Sequence, residues 1–123
     1  MKRSNNEMMG MLEALAPLLD RRDVIGYAAA RNTRLLSAEL SEYSRIRDEL
    51  VMKYGEAEIG EDGNPTGRVS IAPTSANFRM FLDEIGRFAE IEHEPELFLI
   101  KYEEAIGKLS GSELLAVEWM FED

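Results

Sequence analysis

The stretch "VIGYAAARNTRLLSAELSEYSRIRDELVMKY" (Val24–Tyr54) decides the fold. It has no proline and one glycine, Gly26, and its apolar residues repeat at helical spacing. Ala29, Leu36, Tyr43 and Leu50 recur every seven residues, with Ile25, Leu40, Ile46 and Tyr54 as further apolar positions. Glu49 and Lys53 form an i,i+4 pair in the favourable order. Asp23 is placed to cap the start, and Gly55 to close the end as a left-handed terminator. The pattern predicts one long helix of roughly 46 Å at 1.5 Å per residue. A compact domain of this size has a radius of gyration of about 14 Å. The helix should therefore overhang its domain, unless it bends or packs against another molecule, most simply a second copy.

Upstream, Ser4-Asn5-Asn6-Glu7 has the form of a capping box, followed by an apolar stripe at Met8, Leu12, Leu15 and Leu19. Pro17 should stop this first helix near Leu15 or kink it. The methionines Met8, Met9 and Met11 suit an adaptable packing face. Downstream, Thr74 or Ser75 can cap a further helix whose stripe is Phe78, Phe81, Leu82, Ile85 and Phe88. Leu97–Ile100 is an apolar run of strand length. Ser110 and Glu113 make a second capping box, with Leu109 and Leu114 at the staple positions of a short terminal helix.

These elements predict a predominantly helical α+β fold occupying residues 1–123 as a single domain. A long helix would pair with an aromatic-faced helix, beside a short two- or three-stranded sheet and a short C-terminal helix. The chain has 123 residues, 45% hydrophobic and 31% charged, an ordinary globular composition. It has no cysteine, which removes disulfides, zinc-thiolate sites and a thiol nucleophile. Lys2-Arg3 before "MMGMLEALAPLL" has the outline of a signal peptide, but Glu13 breaks the apolar run and "DRRD" replaces a small-residue cleavage site. No stretch approaches a membrane span, so the expectation is a cytoplasmic protein without a membrane partner.

The net charge is −10 and unevenly placed. Residues 1–34 carry six Lys/Arg against four acids, and the remainder eight against twenty. Such acidity argues against direct grip on a nucleic-acid backbone, which needs clustered positive charge. Arg31 and Arg34, one helical turn apart, could hold an acidic partner or neutralise carboxylates of the same chain.

Two segments invite a metal. In "GEDGNPTG" (60–67), a calcium loop begun at Asp62 would place Asp62, Asn64 and Thr66 at its first, third and fifth positions and Gly67 at its sixth. Its twelfth position is Pro73 instead of glutamate, so a turn leading into a short strand at Arg68–Ile71 is the favoured reading. The segment "EIEHEPE" (Glu90–Glu96) holds the one histidine, His93. Extended backbone before Pro95 would send neighbouring side chains to opposite faces, and no second histidine exists to complete a site. It reads as a solvated acidic joint. No phosphate loop or recognisable nucleophile is present, so no enzyme activity, cofactor or firm metal site is expected.

The order of parts, a capped helix, a long helix with "RNTRLL", then "KYGEAEIGEDGNP", an aromatic helix, an apolar strand and "LSGSELLAVEWMFED", resembles a family of small uncharacterised proteins of phages and prophages of Gram-positive bacteria. The resemblance covers roughly Asn5 to Phe121. It implies a mobile-element context and no mechanism. The expected function is a non-enzymatic interaction or assembly module, self-associating as a homodimer or joining a phage or host protein. Its contact would run through Leu36, Leu40, Tyr43 and Leu50. The alternative is a small acidic regulator that blocks a basic, nucleic-acid-binding partner.

Overall fold

A computed structural model describes residues 2–122, and its fold is predominantly helical α+β. The chain forms two compact units, Met1–Leu40 with Glu92–Asp123, and Ser41–Ile91.

In the first unit, β1 (Arg3–Ser4) leads into α1 (Asn5–Leu15). The expected capping box is present: the Glu7 N–H donates to Ser4 Oγ at 3.0 Å, and the Ser4 N–H to Glu7 Oε1 at 3.3 Å. Two backbone donors that a helix start leaves unpaired are thereby satisfied. Helix α1 stops at Leu15, and Pro17 lies in a turn of 3-10 helix at Ala16–Leu18. Asp23 caps α2 (Val24–Glu39), accepting from the Gly26 N–H at 3.1 Å. Met8, Met11 and Leu15 of α1 pack with the buried face of α2, formed by Ile25, Ala28, Ala29, Asn32 and Leu36. The C-terminal segment adds Ile100, Ala105, Leu109, Val117 and Met120 to the buried set. Each fully buried Leu, Ile or Met stabilises this unit by roughly 1.5–3 kcal/mol relative to exposure.

The single long helix expected over Val24–Tyr54 is instead two helices. Helix α2 ends at Glu39, Leu40 caps it with φ −88° and ψ 0°, and α3 runs over Ser41–Tyr54. Leu40 bonds back to the Leu36 carbonyl at 2.9 Å and its side chain is buried. A straight helix drifts about 20° per heptad, so one seven-residue stripe cannot keep facing a single core over four turns and more. The break shortens the elements to roughly 24 and 21 Å. Each helix lies within its own unit, so helix length by itself no longer calls for a second molecule.

The second unit consists of α3, a hairpin and α4 (Ala76–Ala89). The hairpin pairs β2 (Glu56–Ile59) with β3 (Pro65–Ser70), antiparallel and with an irregularity between Ala57 and Ile59. Gly55 ends α3 as expected but for a different reason, since its φ is not positive. A Cβ there would lie 2.5 Å from both the Val51 carbonyl oxygen and Val69 Cγ1. Close approach of backbone and strand, not a left-handed turn, requires the glycine. Ser75 caps α4 by accepting from the Phe78 N–H at 3.2 Å. Helices α3 and α4 pack side by side, so the aromatic-faced helix does pair with the distal part of the expected long one.

Back in the first unit, β4 (Glu92–His93) pairs antiparallel with β1. Strand β5 (Ile100–Lys101) pairs in parallel with β6 (Phe121–Glu122). Thus the expected sheet is three separate two-stranded ladders. Leu97–Leu99 is not a strand, although the run was expected to be one. The capping box of α5 (Gly111–Ala116) forms as expected, with the Glu113 N–H donating to Ser110 Oγ at 3.2 Å and the Ser110 N–H to Glu113 Oε1 at 2.9 Å.

Candidate functional site

The expected contact residues fall in two groups. Leu36, Leu40 and Tyr43 are 0%, 1% and 8% exposed, so they are core residues of the chain itself. Leu50 differs. It is half-buried and lines a groove on the second unit between α3 and α4, of about 410 Å³. Ile46, Leu50 and Phe88 give this groove an apolar wall, and Glu49, Lys53, Glu84 and Arg87 give it charges of both signs.

One end of the groove is held by an ionic cluster. Tyr54 donates its hydroxyl to Glu84 Oε1 at 2.7 Å, and Lys53 Nζ lies 3.4 Å from the same oxygen. Those contacts, the Tyr54 hydroxyl foremost, hold the Glu84 carboxyl below its ordinary range. Helix α4 presents its phenylalanine stripe less completely than the sequence implies. Only Ile85 is buried, while Phe78, Phe81 and Phe88 are half-buried. Met80 and Leu82 are 53% and 49% exposed.

Asp62, Asn64 and Thr66 lie together at the turn of the β2–β3 hairpin, with their polar atoms engaged by the hairpin itself. Asp62 Oδ1 accepts from the Asn64 N–H at 3.0 Å, and Oδ2 faces Asn64 Nδ2 at 3.4 Å. Thr66 Oγ1 reaches across the hairpin to the Glu58 carbonyl at 3.5 Å. Gly63, with φ 81°, makes the turn between two strands, whereas a calcium loop of the helix-loop-helix kind joins two helices. Among the described residues no group of three His, Asp or Glu side chains could hold a metal ion.

The acidic joint is tied down. His93 is half-buried, lies in β4 opposite Arg3, and its Nδ1 sits 3.3 Å from Glu39 Oε2 of α2. Glu94, Pro95 and Glu96 continue from it and form one groove with Leu35 and Glu39. Next to it, a second groove of about 350 Å³ is lined by Tyr27, Ala30, Arg31, Arg34 and again Leu35. Arg31 lies 5.1 Å above the Phe98 ring, and Tyr27 meets the same ring edge-on at 5.6 Å. The pattern of charges identified Arg31 and Arg34; nothing in it placed Glu39 beside the EIEHEPE segment.

Sequence reasoning also missed Asn32. It is fully buried, and its Nδ2 donates to the Phe98 carbonyl at 2.8 Å while its Oδ1 accepts the Phe98 N–H at 2.7 Å. The side-chain amide supplies Phe98 with both bonds that a neighbouring strand would have given. A lone asparagine on the apolar face of a helix was the available signal.

No protein-family model matches the chain, and no curated protein or solved structure matches it either. Among the described residues no helix is long and apolar enough to cross a membrane.

Proposed function

We propose that the chain is a non-enzymatic interaction module that self-associates through the α3–α4 groove of its second unit. The observation that carries this reading is the incomplete cover of α4. Phe78, Phe81 and Phe88 are not fully buried and Met80 and Leu82 are exposed, in a unit of about fifty residues, a size at which little apolar surface can be spared. A second copy is the occupant that fits. The groove's acids are answered within the chain, Glu49 by Arg45 and Glu84 by Lys53, so the apolar wall of Ile46, Leu50 and Phe88 is what a second copy would cover across a two-fold axis. The phage or prophage setting rests on the order of parts in the sequence, and in that setting the module would serve assembly.

The alternative, a regulator that blocks a basic partner, needs an uninterrupted acidic face. Glu39, Glu94 and Glu96 share a groove, but Arg31 and Arg34 line the next one, which favours self-association. Light scattering coupled to size exclusion, at tens of micromolar, tests the proposal. In high salt the expected mass is two chains, with Leu50→Lys returning it to one. A mass of one chain for the unaltered protein would refute self-association.

A further inference from the structure

We infer that the first unit carries a second self-complementary surface, centred on Leu35, on which another copy of this chain docks in antiparallel orientation. This inference stands apart from the α3–α4 reading, since every residue it uses belongs to the first unit.

Leu35 lies at the wall shared by the two neighbouring grooves. On one side the charges are Arg31 and Arg34, and on the other Glu39, Glu94 and Glu96. Arg31 and Glu39 stand four residues before and after Leu35 on α2. Positions at i and i+4 lie on one side of a helix, so Arg31, Leu35 and Glu39 follow one side, with roughly 6 Å of rise between neighbours. A two-fold axis through Leu35 therefore sets Arg31 of one copy against Glu39 of the other, and the reverse, while the two leucines meet at the centre.

Arg34, Glu94 and Glu96 are exposed, and among the described residues none of their side chains has a hydrogen bond or ion pair within the chain. Their charges are thus available to a partner. Arg31 is steadied by Phe98 and the Tyr27 hydroxyl, 3.5 Å from its Nη1, which lowers the ordering cost of a contact. Ala30 and Ala38 on the exposed side of α2 leave room for close approach of two helices. A purely basic partner would meet the repulsion of Arg31 and Arg34, and a purely acidic one that of the glutamates. The partner that satisfies both halves carries the same division of charge, which a second copy does by construction.

Charge reversal with recombination tests this. Arg34→Glu and Glu96→Lys alter exposed side chains, and each would be run alone and as an equimolar mixture with the other, in low and high salt, by sedimentation velocity. The unaltered chain should show salt-sensitive association. Each variant alone should weaken it, because both copies of its own interface trade an attraction for a like-charge contact while Arg31 and Glu39 keep theirs. The mixture should recover it, because an Arg34→Glu chain and a Glu96→Lys chain are complementary at both contacts. Leu50→Lys should leave this salt-sensitive component in place. A mixture that fails to associate, or single variants that associate like the unaltered chain, would overturn the inference. If Leu50→Lys abolishes all association while Arg34→Glu does not, the α3–α4 reading stands and this one falls. Capture of a basic polypeptide by the glutamate groove, with each chain remaining single, would also overturn it.

Discussion

Replacing Asn32 tests whether a buried side-chain amide substitutes for a strand. Asn32→Leu keeps the branched outline of the side chain, at a larger volume, but removes both the donor and the acceptor for Phe98. Leaving a buried donor or acceptor unpaired costs about 1–3 kcal/mol each. Two such groups give roughly 2–6 kcal/mol, and since Phe98 is itself only half-buried, about 3 kcal/mol is the working value. That would be a large share of a total stability of about 5–15 kcal/mol. Asn32→Asp sharpens the test through pH. An ionised carboxylate can accept from the Phe98 N–H but sets an oxygen against the Phe98 carbonyl, while the protonated acid can donate there. The folded state thus favours the protonated form and raises the pKa above the ordinary value of about 3.9. A group whose folded pKa is raised gives its stabilisation below the unfolded pKa and loses it as pH rises through the folded one. The deficit of Asn32→Asp relative to the unaltered chain should therefore shrink as pH falls from neutral toward about 4. Urea unfolding followed by circular dichroism at several pH values reads both effects. Asn32→Leu within about 1 kcal/mol of the unaltered chain, or an Asn32→Asp deficit that does not change with pH, would refute the reasoning.

Two further outcomes follow from close geometry. A Cβ at Gly26 would meet the Arg21 carbonyl oxygen at 2.1 Å and its carbon at 2.8 Å, both backbone atoms. Gly26→Ala should thus destabilise the chain by about 3 kcal/mol or more in the same unfolding assay, and a cost under about 1 kcal/mol would show that the turn before α2 yields freely. Asp23 is held at about 2, first by its hydrogen bonds from Arg21, at 2.7 Å for the shorter, and then by the Gly26 N–H. Its stabilising contribution is present above 3.8, the ordinary value, and is lost as pH falls through about 2. Arg21→Gln should raise the Asp23 midpoint, seen by carboxyl NMR, and its deficit in stability should fade in strong acid. An unmoved midpoint would assign the low value to the helix start instead.

Local signals were legible where the chain satisfies its own backbone. Ser4, Asp23, Ser75 and Ser110 cap helices where the sequence places them, because an N-cap acts within three residues of itself. What was not legible depends on partners far along the chain. Asn32 and Phe98 are separated by 66 residues, and only the fold reveals that one replaces a strand for the other. The β2 strand, "EAEI", has no apolar alternation strong enough to stand out, and its pairing across Gly63 defines it. The break in the expected long helix was not legible either, because Leu40 and Ser41 both fit a helix interior and carry no local stop signal. Of the candidate contact residues, Leu36, Leu40 and Tyr43 are buried on either side of that break, and Leu50 alone lines a groove.

Self-association of this chain is not required by helix length. A single 46 Å helix would need a second molecule to cover its length, whatever its surface carried. Two shorter helices carry no such requirement, and surface chemistry alone decides whether copies meet. The two candidate surfaces then differ in kind. The α3–α4 groove offers half-covered apolar side chains, whose association should persist in salt. The Leu35 surface offers unpaired charges of both signs, whose association salt should weaken. If both operate, each in its own unit and each closing on itself by a two-fold axis, a chain has two independent contacts. Contacts of that number allow growth beyond a dimer, and ionic strength would decide whether a pair or a larger assembly forms.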